Sequence, residues 1–266
     1  MEKVFYGLES KMKNEWQLWD KLPEYGDLLY KRALGEADEM ESAKSISKLI
    51  NKSYYPGMTI CDVGCGAGHY LLSFQRRIDK NINYTGVDST KYYLKLAKKA
   101  FNNKKIFIYG NIFKLPFKKG NFDMVVCNNV ILHLPPPPGK PIAELIRIAK
   151  KYVIIRTLIG KSNYIIKRAY NSSELGEKTN IVDLVKADDK IMNFGYFNMY
   201  TKDYLEQMIK KIDKNLKVKI IPDKEFKKFD NTKEAGKTHQ TATKVIGDKQ
   251  ISGNLIYDWR YIIIEK

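Results

Sequence analysis

The run Thr59-Ile60-Cys61-Asp62-Val63-Gly64-Cys65-Gly66-Ala67-Gly68-His69-Tyr70 constrains the fold of this 266-residue chain more than any other stretch. A short apolar segment leads into three glycines at alternate positions, and an amphipathic segment follows with Leu71, Phe74 and Ile78 on one face. Glycines in that pattern let the backbone turn sharply and lie against a ligand with no Cβ atoms in the way. Open α/β sheets bind nucleotides at such a strand-to-helix loop, beyond the carboxyl ends of the strands.

The rest of the chain agrees with that reading. From residue 58, short apolar runs alternate with longer amphipathic segments, the pattern of βαβ units on a parallel sheet. Strands are expected at 59–63, 83–87, 105–109, 122–127, 152–156, 218–221 and 261–264. A helix is expected at 42–50. Three more carry buried stripes: Tyr93, Leu96, Ala97, Ala100 and Phe101; Ile142, Leu145, Ile146 and Ala149; and Leu205, Met208, Ile209 and Ile212 behind a capping Thr201. Two short runs, 243–246 and 250–252, flank Gly247-Asp248 as a small hairpin. The organisation predicted is an N-terminal cap over 1–57 and one α/β domain over 58–266. Inserts at 157–200 and 222–258 are long enough to be binding loops on the substrate side.

Two details separate the loop from a dinucleotide loop. The glycine spacing is G-x-G-x-G, and an acid, Asp62, stands two positions before the first glycine. A carboxylate repels a pyrophosphate and attracts a cation. The methionyl end of S-adenosylmethionine carries an ammonium and a sulfonium, so that cofactor fits. Asp88, with Ser89 beside it, ends the next apolar run twenty residues after Gly68. A carboxylate there accepts ribose hydroxyls; its competing role is a helix cap.

Taken in order, Cys61-Asp-Val-Gly-Cys-Gly-Ala-Gly-His69, Gly86-Val-Asp88-Ser89, Gly110-Asn111-Ile112 and the stretch from Phe122 to Leu134 resemble the successive motifs of class I S-adenosylmethionine-dependent methyltransferases, particularly the small-molecule group often labelled type 11. The resemblance covers about residues 55–160. It implies a Rossmann-like α/β fold with a seven-stranded, mostly parallel sheet whose last strand is antiparallel. It further implies that Asp62, Gly64, Gly66 and Gly68 line the methionyl end, that Asp88 holds the ribose, and that Asn111 and Ile112 sit at the adenine. Asn111 stands where the family more commonly has an acid. Asn128 and Asn129 end the fourth strand near the cofactor, and S-adenosylhomocysteine is the product.

If the acceptor is a hydroxyl, a base assists. His133, just after the fourth strand, is the first candidate and a pocket-wall histidine is the alternative; His239 is the second. Trp16, Trp19 and Tyr70 are candidates to cover the sulfonium or the substrate, with a place in the core as the alternative. Arg156, at the end of the fifth strand, is either an anchor for an anionic group or the partner of an acid in an insert. The acceptor expected is a small polar metabolite, with a hydroxyl favoured over an amine and a sugar or nucleotide-linked sugar favoured by the Asn, Thr, Asp and Tyr of the inserts.

Composition bears on the rivals. The net charge of +17 invites an RNA methyltransferase, but 40 of the 47 basic residues are Lys, scattered over nearly every segment, with no RNA-binding module. A non-catalytic binding protein of the same fold and a nicotinamide dehydrogenase are weaker rivals, given the intact motifs. No apolar stretch approaches the about 20 residues that span a bilayer, and the charged N-terminus lacks a signal core, so no membrane partner and a cytoplasmic location are expected. Three cysteines without paired spacing support neither a disulfide framework nor a metal site.

Overall fold

The computed structural model describes residues 18–102, 106–169, 194–224, 243–246, 249–252 and 255–266. Its centre is a sheet of strands β1 (Thr59–Val63), β2 (Asn83–Asp88), β3 (Phe107–Tyr109), β4 (Phe122–Asn128), β5 (Ala149–Ile159), β8 (Lys217–Pro222) and β11 (Leu255–Glu265). They lie in the order β3-β2-β1-β4-β5-β11, with β8 pairing β11 on the sheet's far side. The pairs among β1 to β5 are parallel, and β11 runs antiparallel to both β5 and β8. This is the expected seven-stranded arrangement with its reversed strand.

A hairpin of β9 (Thr243–Ile246) and β10 (Lys249–Ser252) pairs with the first residues of β11 and extends the sheet to nine strands. The residues between its two arms, Gly247-Asp248, lie outside the described residues. Two elements were not expected from sequence. The first insert contributes a separate two-stranded sheet, β6 (Lys167–Ala169) with β7 (Phe194–Tyr196), and helix α1 (Pro23–Leu34) belongs to the N-terminal cap.

Alternation along the strands explains why helices cover both faces. In β4, Val125 and Cys127 face one core with Ile142 and Leu145 of α5 (Gly139–Ile148) and Leu205 and Ile209 of α6 (Lys202–Ile212). Met124 and Val126 face the other, with Ile46 and Ile50 of α2 (Glu41–Asn51), Leu71 and Phe74 of α3 (His69–Arg77), and Leu94 and Ala97 of α4 (Lys91–Ala100). All three cysteines are buried free thiols in these cores. Thr201 caps α6 as expected, its side chain accepting from the Tyr204 amide. The cap helix α1 closes onto α4: the Tyr93 hydroxyl donates to the Leu22 carbonyl and the Tyr92 hydroxyl to Asp27. No helix among the described residues is long and apolar enough to cross a membrane.

Candidate active site

The loop after β1 shows why the glycines alternate. Gly64, Gly66 and Gly68 have φ of 83°, 56° and 81°, left-handed values that side chains rarely adopt. At Gly64 the neighbourhood is closed as well, since a Cβ would strike the Val130 side chain. The loop leans on the end of β2: the amides of Gly64 and Cys65 donate to the Val87 carbonyl at 2.7 and 3.1 Å. One residue further, the Gly66 amide donates to Asp88 Oδ2 at 2.8 Å, and the Thr90 amide donates to Oδ1 at 2.8 Å. Asp88 therefore holds the turn before α4 and is itself held with a fixed orientation. Burial pushes its carboxyl up, and the two amides oppose that rise.

A cavity opens over the carboxyl ends of β1, β2 and β4. Gly64, Gly66, Asp88, Ser89, Asn111, Ile112 and Asn128 line it from the sheet side. Trp19, Asp20, Tyr25 and Leu29 of the N-terminal cap close it from the other side, with Tyr70, His133 and Val130 between. Although the chain carries +17, the described residues lining this cavity include two carboxylates, Asp20 and Asp88, and neither Lys nor Arg. The cavity thus favours cations.

Its polar groups also fit a ligand that carries many hydrogen-bonding atoms. Asn128 is 6% exposed and neither end of its amide has a hydrogen-bond partner among the described residues. His69, at the start of α3, is in the same state at Nδ1; burial first, then Arg32, pushes its imidazole down to about 3, so it is neutral at physiological pH. Groups so buried cost stability unless something bonds to them. Asn111 is exposed, and its Oδ1 already accepts from the Phe113 amide at 2.9 Å.

The turn after β4 carries His133. Its Nδ1 lies 3.0 Å from the Tyr196 carbonyl of β7. A carbonyl can only accept, so Nδ1 bears the proton and, in the neutral ring, Nε2 is the basic nitrogen. The ring meets Trp19 edge-on at 5.1 Å and Phe197 at 5.8 Å between centroids, so the N-terminal cap and the first insert grip it from two sides.

Three residues expected in the site stand elsewhere, and Trp16 lies outside the described residues. Asp62 shares the β1 face of Ile60, and its carboxylate lies beneath the loop, 1% exposed, accepting from the Tyr84 hydroxyl at 2.9 Å. It does not line the cavity. Burial, reinforced by Asp88 and opposed by Tyr84, pushes its carboxyl up to about 7. Gly68 is also outside the lining: a Cβ there would press on Phe101 and Phe107, so its smallness serves the core. Arg156 is 1% exposed and pairs with Asp223 at 2.8 Å, donates to Asn129 Oδ1 at 2.6 Å and stacks on Trp259 at 4.0 Å. The acid at the start of the second insert, and not an anionic ligand, is its partner. His239 lies outside the described residues.

The cavity residues not foreseen include Asp20, Tyr25 and His69. Only His69 had a signal, its place directly after the third glycine. Asn129 sits at the tip of β4 with φ 58°, and its amide donates to the Arg156 carbonyl.

Known proteins resemble this chain in sequence and fold. Residues 55–213, more than half of the chain, match the family model described as a methyltransferase domain. An uncharacterized protein of Methanocaldococcus jannaschii is 29% identical over 175 residues, covering 64% of this chain and 70% of that one. A sterol 24-C-methyltransferase of Gibberella zeae is 25% identical over 162 residues, 59% of this chain but only 41% of its own length. Among solved structures, a S-adenosylmethionine-dependent methyltransferase of Thermotoga maritima has the same fold, with a TM-score of 0.50 at 15% identity over 94% of this chain and 99% of that chain.

Proposed function

The chain belongs to the class I S-adenosylmethionine-dependent methyltransferases, and on that premise we propose that it methylates a hydroxyl of a small molecule, with His133 as general base. S-adenosylmethionine supplies a methyl carbon made electrophilic by its sulfonium. Asp88 is assigned to the ribose. A carboxylate accepts about four hydrogen bonds, and the Gly66 and Thr90 amides use only part of that capacity. Gly64 and Gly66 let the backbone approach the methionyl end, where the amide of Asn128 offers both a donor and an acceptor. Ile112 packs beside the adenine. The Asn111 oxygen accepts from the Phe113 amide, and its Nδ2 donor is assigned to the adenine.

The observation that carries the hydroxyl reading is the Tyr196 carbonyl on His133 Nδ1. It makes Nε2 the nitrogen that takes the acceptor's proton as its oxygen attacks, and it steadies the imidazolium that results. Trp19 and Tyr25 line the cavity on that side and are assigned to keep water from the reacting atoms. The lining speaks to the acceptor too. A nucleotide-linked sugar requires cations for its phosphates, and the described lining residues supply none. An uncharged polar acceptor, such as a plain sugar hydroxyl, suits the walls better.

The test is a transfer assay with methyl-labelled cofactor against fractionated metabolites, comparing wild type with His133→Asn. Loss of a general base lowers turnover by roughly 10²–10⁴-fold, while affinity for S-adenosylhomocysteine is kept. A variant as fast as wild type overturns the assignment of His133.

A further inference from the structure

The first insert reaches the turn that carries His133. Its segment after β7 runs against the turn that follows β4, and the contact is made by Asn198, a residue 0% exposed. The Asn198 backbone amide donates to the Leu132 carbonyl at 2.8 Å, and its side-chain Nδ2 donates to the Leu134 carbonyl at 2.8 Å. Those two carbonyls belong to the residues on either side of His133. One asparagine thus grips the peptide before and after the histidine, and two residues upstream on the same segment Tyr196 meets the imidazole.

The segment is fixed on its other side as well. Phe197 donates to the Ile166 carbonyl at 2.8 Å, and Met199 and Tyr164 exchange backbone bonds at 2.9 and 2.8 Å. Asn198 therefore connects the described part of the insert to a short turn of 3-10 helix, Ile131–His133, that has little hydrogen bonding of its own. Resting on the reading of His133 as base, we propose that Asn198 is a positioning residue: it sets the register in which Tyr196 presents its carbonyl to Nδ1, so that Nε2 is the basic nitrogen at the cavity.

Side-chain chemistry explains why asparagine serves here. Alanine removes the Nδ2 donor and leaves the buried Leu134 carbonyl without it. Aspartate, of the same shape, sets an oxygen against that carbonyl. In either case the turn loses its second anchor and the ring its fixed acceptor. A neutral imidazole with no fixed acceptor populates both tautomers.

The test reads the tautomer directly, with no need of the acceptor. The chain has three histidines, so ¹⁵N-histidine labelling gives few imidazole signals, and His133→Gln identifies that of His133. Wild type at neutral pH is expected to show protonated Nδ1 and unprotonated Nε2 for His133, and Asn198→Ala an averaged pair of both tautomers. Should the alanine variant fail to fold by circular dichroism, the isosteric Asn198→Asp is read in the same way. A single Nδ1–H tautomer retained in a folded Asn198 variant overturns the positioning role and leaves His133 standing as base. A wild-type ring protonated at Nε2 overturns the base assignment and the inference with it.

Discussion

In Asp223→Ala the guanidinium of Arg156 keeps its buried place and loses its counter-ion. The pair is closed at 2.8 Å, with side chains 1% and 0% exposed, so water cannot replace the carboxylate without opening the fold. Removing one member of such a pair costs roughly 3–5 kcal/mol, because a charge remains buried and uncompensated. Two contacts soften the loss here: Asn129 Oδ1 at 2.6 Å and the face of Trp259 at 4.0 Å. The Ser45 hydroxyl also loses its acceptor, which adds to it. The expected destabilisation is about 3 kcal/mol, read by urea denaturation, or roughly 6–12 °C in Tm for a domain of this size. The double variant Arg156→Met/Asp223→Leu, which removes both charges, is expected to regain most of that stability. It should still bind S-adenosylhomocysteine more weakly than wild type, because Asn129 at the cavity loses the guanidinium that holds its side chain. A loss below about 1 kcal/mol in Asp223→Ala, or a double variant no more stable than the single one, refutes the reasoning.

Asp62 gives a pH signature. Its carboxyl is raised from the ordinary 3.8 to about 7 chiefly by burial, so its protonated form is favoured in the folded state. The stability it contributes is complete below the ordinary value and is lost as pH climbs through about 7. The unfolding free energy of wild type relative to Asp62→Asn should therefore fall between about pH 4 and 7 and level off above, with a ceiling on the order of 4 kcal/mol; a difference independent of pH contradicts the burial argument. Gly64→Ala forces a side chain onto a left-handed backbone and into Val130. A cost of roughly 1–3 kcal/mol and a cofactor affinity reduced at least tenfold are expected by thermal melting and calorimetry, and a variant that binds normally denies that the backbone lies against the ligand.

The sheet was legible because its signals are local. The alternation in β4 and the spacing of Tyr93, Leu96 and Ala97 each report a face without knowledge of what packs on it. Edges were less legible: β5 runs from Ala149 to Ile159 and β11 begins at Leu255, well outside their apolar centres, because pairing with a long neighbour extends a strand through residues of no strong preference. Helix α1 escaped notice because Gly26 and three of its polar neighbours blur the stripe; that glycine is needed where Tyr93 abuts the helix. At the site, the glycines and Asp88 could be read from spacing, since backbone conformation dictates residue type there. The partners of Arg156 and His133 could not. Asp223 lies 67 residues from Arg156, and the His133 contact is to a main-chain carbonyl, which leaves no trace in residue identity. Asp62 was misplaced for a related reason: attraction to a cation was read as contact, whereas the alternation of β1 turns its side chain under the loop.

Titration calorimetry of S-adenosylhomocysteine into wild type and Asp88→Ala addresses the cofactor site most directly. Bonds to a charged group are worth about 1.5–3 kcal/mol each, so losing the carboxylate's hold on the ribose should weaken one-to-one binding by roughly a hundredfold or more. Equal affinities in the two proteins, or no binding to wild type, would contradict the site as drawn.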